Sequence, residues 1–416
     1  MLRRPLIAAL VLFVATAVPS LAVPAHAKDS GLQLFAGTGA PGYSGDGGPA
    51  VAAKLNAPRG IAVARDGTVY ISDTGNRVVR KVAPDGKITT VAGTGRMVEA
   101  LPARDSVPAT EFDLVSPTDL AVGPDGVLYI ADIGRLQLFK VSADGLIRLV
   151  AGTYGLYPGK NNGRAVDTPL GPVAGLTVDA DGTVFVGTSL HRLVLAVTPD
   201  GAISTAMGNG TVSVQITSGL ATKVAMTNVT GLSVDGEGNV WIADAGALRR
   251  YSNRRVATVT VPGQATMSPT RKVRPWAISV GAPWPPPEVL VGAVSVAAVD
   301  GTVFVNSATK VLRLSAGQRL ETALDFADEP ALVPSHYLDG PIAATSNAIY
   351  LADEKWNGVY IGHPAPPYTG PEPAEPGPPI RWWPYTTAAG IILALGAVIG
   401  VWRGKRRYLH PANTGQ

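Results

Sequence analysis

The 416-residue chain contains no cysteine. Disulfide staples, thiolate nucleophiles and zinc–thiolate sites are therefore excluded. Histidine is scarce: of five, His26, His363 and His410 sit near the ends, and only His191 and His336 lie in the body. Two histidines from distant segments are too few for a histidine-held zinc ion. Charge is sparse at 16% against 46% hydrophobic residues, which excludes a disordered polyelectrolyte. Acidic residues are absent from both ends. Arg3 and Arg4 open the chain, and Arg403, Lys405, Arg406 and Arg407 close it, so residues 28–381 hold 29 basic and 31 acidic groups, a net of −2. The body is no polycation, and a nucleic-acid partner is not expected.

What is present begins with two apolar segments. Arg3–Arg4, the apolar run Leu6 to Val18 and Ala25-His26-Ala27 read as a secretory signal over residues 1–27, cut before Lys28. Residues 382–402 carry no charge over 21 positions, a helix of about 31 Å at ~1.5 Å per residue, one bilayer core. Trp382, Trp383 and Tyr385 mark one interface and Trp402 the other, with the basic tail 403–416 just beyond. This pattern predicts a single span with the body outside and the tail in the cytoplasm. Between body and span lies a proline-rich stalk, 362–381, whose eight prolines fall in 364–379. In polyproline II at ~3.1 Å per residue, 16 residues extend about 50 Å.

Residues 28–361 carry one pattern six times. An aromatic stands second in a short β-branched run: Tyr70, Tyr129, Phe185, Trp241, Phe304 and Tyr350, spaced 59, 56, 56, 63 and 46 residues apart. Turn residues precede each run, as in Asp66-Gly67, Asp125-Gly126 and Asp300-Gly301, and predict two-residue hairpins. Strands flank each hairpin on both sides, and the unit ends in Val-Ala-Gly at 91–93 and 150–152. Four antiparallel strands repeated six times predict an all-β, six-bladed β-propeller. The last unit is one strand short, and Leu34-Phe35-Ala36-Gly37 matches the missing fourth strand, so the N-terminal strand is expected to complete the sixth blade. Long connectors, such as 93–117 and 262–290, are expected on one face and tight turns on the other.

Gly45-Asp46-Gly47-Gly48-Pro49-Ala50, Asn56-Ala57-Pro58-Arg59-Gly60-Ile61-Ala62-Val63 and Tyr70-Ile71-Ser72-Asp73-Thr74-Gly75-Asn76-Arg77 together resemble an NHL repeat. The resemblance runs over residues 31–361, strongest in the first unit. It implies a six-bladed propeller. Function it implies only broadly, since NHL propellers include protein-binding, RNA-binding and sensor modules and some metal-dependent lyases.

Asp73, Asp132, Asp244 and Asp353 follow the aromatic strand in four units, with Thr188 and Ser307 in the other two. A ring of carboxylates would bind calcium. Mixed with hydroxyls, the set reads better as turn acceptors for backbone N–H groups. Gly37-Thr38-Gly39-Ala40-Pro41-Gly42 matches a dinucleotide fingerprint only formally, because loop residues rather than a helix follow. Residues 245–287 hold seven basic residues and no acid: Arg249, Arg250, Arg254, Arg255, Arg271, Lys272 and Arg274, with Trp276 and Trp284 among prolines. Arginine and tryptophan are enriched at binding hot spots, which makes these nine the candidate ligand-binding residues. No catalytic residue and no cofactor is assigned. The expected function is a cell-surface binding or sensor module for an extracellular protein or an anionic cell-envelope ligand. The alternative is a tethered, calcium-dependent propeller lyase or lactonase.

Overall fold

The computed structural model describes residues 31–97, 106–155, 163–211, 218–244, 247–259, 293–307, 310–314, 320–326 and 340–364. They fall within the first of the chain's two compact units, Met1–Ala365; the second, Pro366–Gln416, lies outside them. The expected signal at 1–27 and span at 382–402 are also outside. No helix among the described residues is long and apolar enough to cross a membrane.

The strands form six antiparallel sheets. Blade 1 comprises Pro58–Val63, Val69–Asp73, Val78–Val82 and Ile88–Ala92. Blades 2, 3, 4 and 5 repeat this order from Pro117–Val122, Val173–Val178, Val229–Val234 and Ser295–Val299. Blade 6 takes Ile342–Ala344, Ile349–Asp353 and Gly358–Gly362 from the C-terminal side, and Gln33–Ala36 as its outer strand. The expected closure is therefore present: Gln33 pairs with Ile361 and Leu34 with Tyr360. First strands of successive blades touch one another all the way round, including blade 6 against blade 1.

Six apolar clusters hold the ring, one between each pair of neighbouring blades. Strand periodicity explains how the repeat builds them. In the second strand of blade 1, Val69 and Ile71 face blade 6, while Tyr70 between them faces blade 2. Tyr129, Phe185, Trp241, Phe304 and Tyr350 do the same, each wedged against the following blade. The recurring aromatic is thus the inter-blade packing residue.

A second repeated device ties fourth strands to the next blade. Gly93 donates its N–H to Ala109 O at 2.9 Å, and Ala109 donates to Gly145 O at 2.9 Å in the third–fourth turn of blade 2. Gly37–Ala50–Gly86, Gly152–Ala165–Gly201 and Gly208–Ala221–Arg254 repeat it. Each leading glycine has a positive φ, 91° to 101°, and a β-carbon there would run into the backbone of the third strand. The terminal glycine of the Val-Ala-Gly motif is explained by that geometry.

Two sequence expectations need correcting. Most Asp-Gly hairpins are not two-residue turns: Ala64 N–H bonds Thr68 O, Asp66 keeps negative φ, and only Gly67 is left-handed. Each is a type I turn with a glycine bulge; Asp300-Gly301, with φ of 47° and 73°, is the two-residue kind. The connectors do not lie free over one face either. Val107–Pro108, Gly163–Arg164 and Gly219–Leu220 each add a short strand to the outer edge of their blade.

Candidate functional site

The six first strands surround a cavity of about 470 Å³ on the propeller axis. At its mouth Arg59, just inside the first strand of blade 1, pairs with Glu354 of blade 6 at 2.6 Å; both side chains are nearly half exposed. One level deeper, at matching register after a bulge, stand Gly60, Asp119, Gly175 and Gly231. Glycine is favoured there because adjacent strands crowd together: a β-carbon on Gly231 would lie 3.1 Å from Ser295 Cα. Asp119 breaks the pattern and puts a carboxyl in the channel wall. It accepts N–H bonds from Leu120, at 2.9 Å, and from Leu176 of blade 3. Burial pushes this carboxyl up to about 7, with the two N–H groups pulling the other way. Ser295 makes the equivalent tie in blade 5, accepting from Ile342 N–H at 3.1 Å.

The four aspartates named from sequence lie in separate blades, each engaged with its own loop. Asp132 accepts from Val115, Ser116, Gly134 and Arg135 N–H at 2.7 to 3.2 Å. Asp244 accepts from Thr227 and Asn228 N–H at 2.8 and 2.6 Å, and Asp73 from Asn56 N–H at 2.7 Å. Asp353 accepts from Lys355 N–H at 2.8 Å. Burial raises the Asp73 carboxyl to about 6 against the pull of Asn76, Asn56 and Arg80, and raises Asp132 also. Thr188 bonds Leu193 O at 3.1 Å. In blade 5 the first strand has no bulge, and Asn306, one residue before the Ser307 aligned from sequence, is fully buried. Asn306 donates to Gly340 O at 2.9 Å, and Ser307 donates to Lys310 O in the adjoining turn. Among the described residues, no three His, Asp or Glu side chains converge as a metal cluster.

The basic candidates divide. Arg249 is fully buried and pairs with Asp244 at 2.7 Å, as Arg80 pairs with Asp73 at 3.4 Å at the same register of blade 1. It belongs to the interior, a correction to its reading as a surface ligand group. Arg250, Arg254 and Arg255 are exposed on the outer strands of blade 4, with Arg250 5.9 Å from the Trp241 ring centre and Asn253-Arg254 forming the turn. Arg271, Lys272, Arg274, Trp276 and Trp284 lie outside the described residues.

Sequence reading missed Asp119. The signal was available in the alignment of Pro117-Thr118-Asp119-Leu120-Ala121-Val122 on Pro58-Arg59-Gly60-Ile61-Ala62-Val63, where an acid replaces the crowded glycine.

Residues 28–250, just over half of the chain, match the family model of the teneurin NHL domain. The chain belongs to this NHL-repeat propeller family. Teneurin-1 of Mus musculus is 30% identical over 229 residues, half of this chain, and Teneurin-3 of Mus musculus 27% identical over 226. The matched region is 8% of the length of each of these relatives. Among solved structures the chain is similar to virginiamycin B lyase from Staphylococcus aureus, at 13% identity and a TM-score of 0.44, covering 75% of this chain and 98% of that one. A gluconolactonase from Xanthomonas campestris stands at 12% and 0.47, covering 75% and 87%. Similarity at that level says nothing about chemistry.

Proposed function

We propose that this protein is a cell-surface propeller that binds an extracellular protein or an anionic cell-envelope ligand and has no catalysis of its own. Residues 28–361 form the binding body, 362–381 the stalk, 382–402 one membrane span and 403–416 a cytoplasmic tail, with residues 1–27 removed on export. The observation that carries this reading is how the carboxylates are used. Asp73, Asp132, Asp244 and Asp353 hold the loops of their own blades, and Glu354 is engaged by Arg59. A carboxylate holding N–H groups and buried arginine acts as a structural acceptor rather than a proton shuttle or a metal ligand.

The ligand surface we assign is the exposed arginine edge of blade 4, Arg250, Arg254 and Arg255; Arg271, Lys272, Arg274, Trp276 and Trp284, which follow in the sequence outside the described residues, stay candidates for the same ligand. Protease added to intact cells should remove the propeller and leave a C-terminal tag cell-associated and protected. Replacing Arg250, Arg254 and Arg255 by glutamate should weaken retention of the detergent-solubilised chain on immobilised polyphosphate by about tenfold. A tag digested from outside would overturn the topology, and unchanged retention would overturn the assigned surface.

A further inference from the structure

The axial cavity has a composition that loop-holding alone does not account for. Its deeper ring consists of one aliphatic side chain per blade at a single register: Ile61, Leu120, Leu176, Leu232, Val296 and Ile342, all buried. Immediately above, Gly231 and Asp119 line the wall, and Asp119 alone at that register carries a carboxyl. The charged lining residues are Arg59, Glu354 and Asp119. The first two neutralise each other at 2.6 Å at the mouth, which leaves the cavity one net negative charge on Asp119. Three of the buried aspartates have arginine beside them: Arg80 by Asp73, Arg135 by Asp132 and Arg249 by Asp244. Asp119 has no ion pair among the described residues and is met only by two backbone N–H groups. Two N–H bonds leave acceptor capacity on a carboxylate, which has about four lone-pair directions. An apolar base beside one uncompensated acid is the usual make-up of a small-ligand pocket, and the volume lies in the usual range of about 300–1,000 Å³.

We propose that the axial cavity binds a small organic ammonium ion, its alkyl part resting on the aliphatic ring and its N–H groups bonded to the Asp119 carboxylate. The cation supplies the ionic partner that Asp119 lacks among the described residues, through a charge-assisted hydrogen bond. The cavity's volume of about 470 Å³ provides the room, and the Arg59–Glu354 pair borders it. Binding requires the ionised carboxylate. Because burial holds the group up to about 7, affinity rises with pH through neutrality. The other charged lining groups are Arg59 and Glu354, which pair with each other. This site depends neither on the membrane tether nor on the arginine edge of blade 4.

Calorimetry of the detergent-solubilised full chain with n-butylammonium tests the idea directly. The expected result is saturable binding, at least tenfold tighter at pH 8 than at pH 5.5. Ammonium ion and n-butanol, each lacking half of the ligand, should bind at least tenfold more weakly. Asp119→Asn should lose binding at least tenfold while keeping a cooperative melt, and Asp125→Asn, in a surface hairpin, should bind like the parent. Should Asp119→Asn prove unfolded, Ala174→Leu, which adds bulk at a half-buried lining position and keeps the carboxylate, is expected to weaken butylammonium while leaving the melt cooperative. Absence of saturable heat at about 50 mM ligand, equal binding of butanol, or equal affinity at both pH values would each overturn the proposal.

Discussion

At the scale of single residues, identical letters do opposite things. Arg249 and Arg250 are adjacent, yet one is sealed against Asp244 and the other faces solvent. Removing a partner from a buried ion pair costs about 3–5 kcal/mol, whereas an exposed substitution stays within about 0.5 kcal/mol. Urea denaturation should therefore show Arg249→Ala strongly destabilised and Arg255→Ala near the parent. Titration provides a second check. Asp119 and Asp73 have folded-state values of about 7 and about 6, above the ordinary carboxylate value of 3.8. A raised value means the folded state holds its proton more tightly, so this stability is complete below about pH 4 and is lost as pH rises to about 7. Asp119→Asn should flatten that slope, with a melting temperature several degrees above the parent at pH 8 and little changed at pH 4. The alternation that separates Arg249 from Arg250 was legible in principle, because a strand turns successive side chains to opposite faces. The contrast was hidden by reading seven basic residues as one patch rather than in register.

At the scale of elements, the repeat was largely readable. Aromatic, turn and Val-Ala-Gly positions recur because each does one physical task in every blade, and a repeated task leaves a repeated residue. The N-terminal strand could be assigned to blade 6 on four residues, since Gly37 carries the same left-handed tie as Gly93. Bulges were not readable: the register shift before Gly60 and its absence in blade 5 leave the hydrophobic pattern unchanged. Two consequences follow for stability. Deleting residues 28–36 removes the buried Leu32 and Ala36 and bares the edge of Gly358–Gly362, so the shortened chain should aggregate or melt at lower temperature by light scattering and calorimetry. Gly93→Ala forces a β-carbon into the Arg77 carbonyl at a φ of 91° and should destabilise by about 1–3 kcal/mol in chemical denaturation, while Gly86→Ala, with open space around it, should cost less.

For the molecule as a whole, ring closure by six apolar interfaces makes a rigid scaffold without disulfides, in keeping with a chain that has no cysteine. Composition pointed to that architecture through strand count and charge placement. The axial cavity was not visible in it, because its walls come from residues far apart in sequence that share only a register. The proposed function is that of a binding scaffold whose carboxylates hold its own loops rather than a metal. Its most direct test is the melting temperature of the full chain in detergent, compared between EDTA and millimolar calcium. A cation bound at a hundred times its dissociation constant adds about 2.7 kcal/mol, several degrees for a chain of this size. The account predicts coincident melts; a calcium-dependent rise of several degrees would contradict it and favour the metal-dependent enzyme.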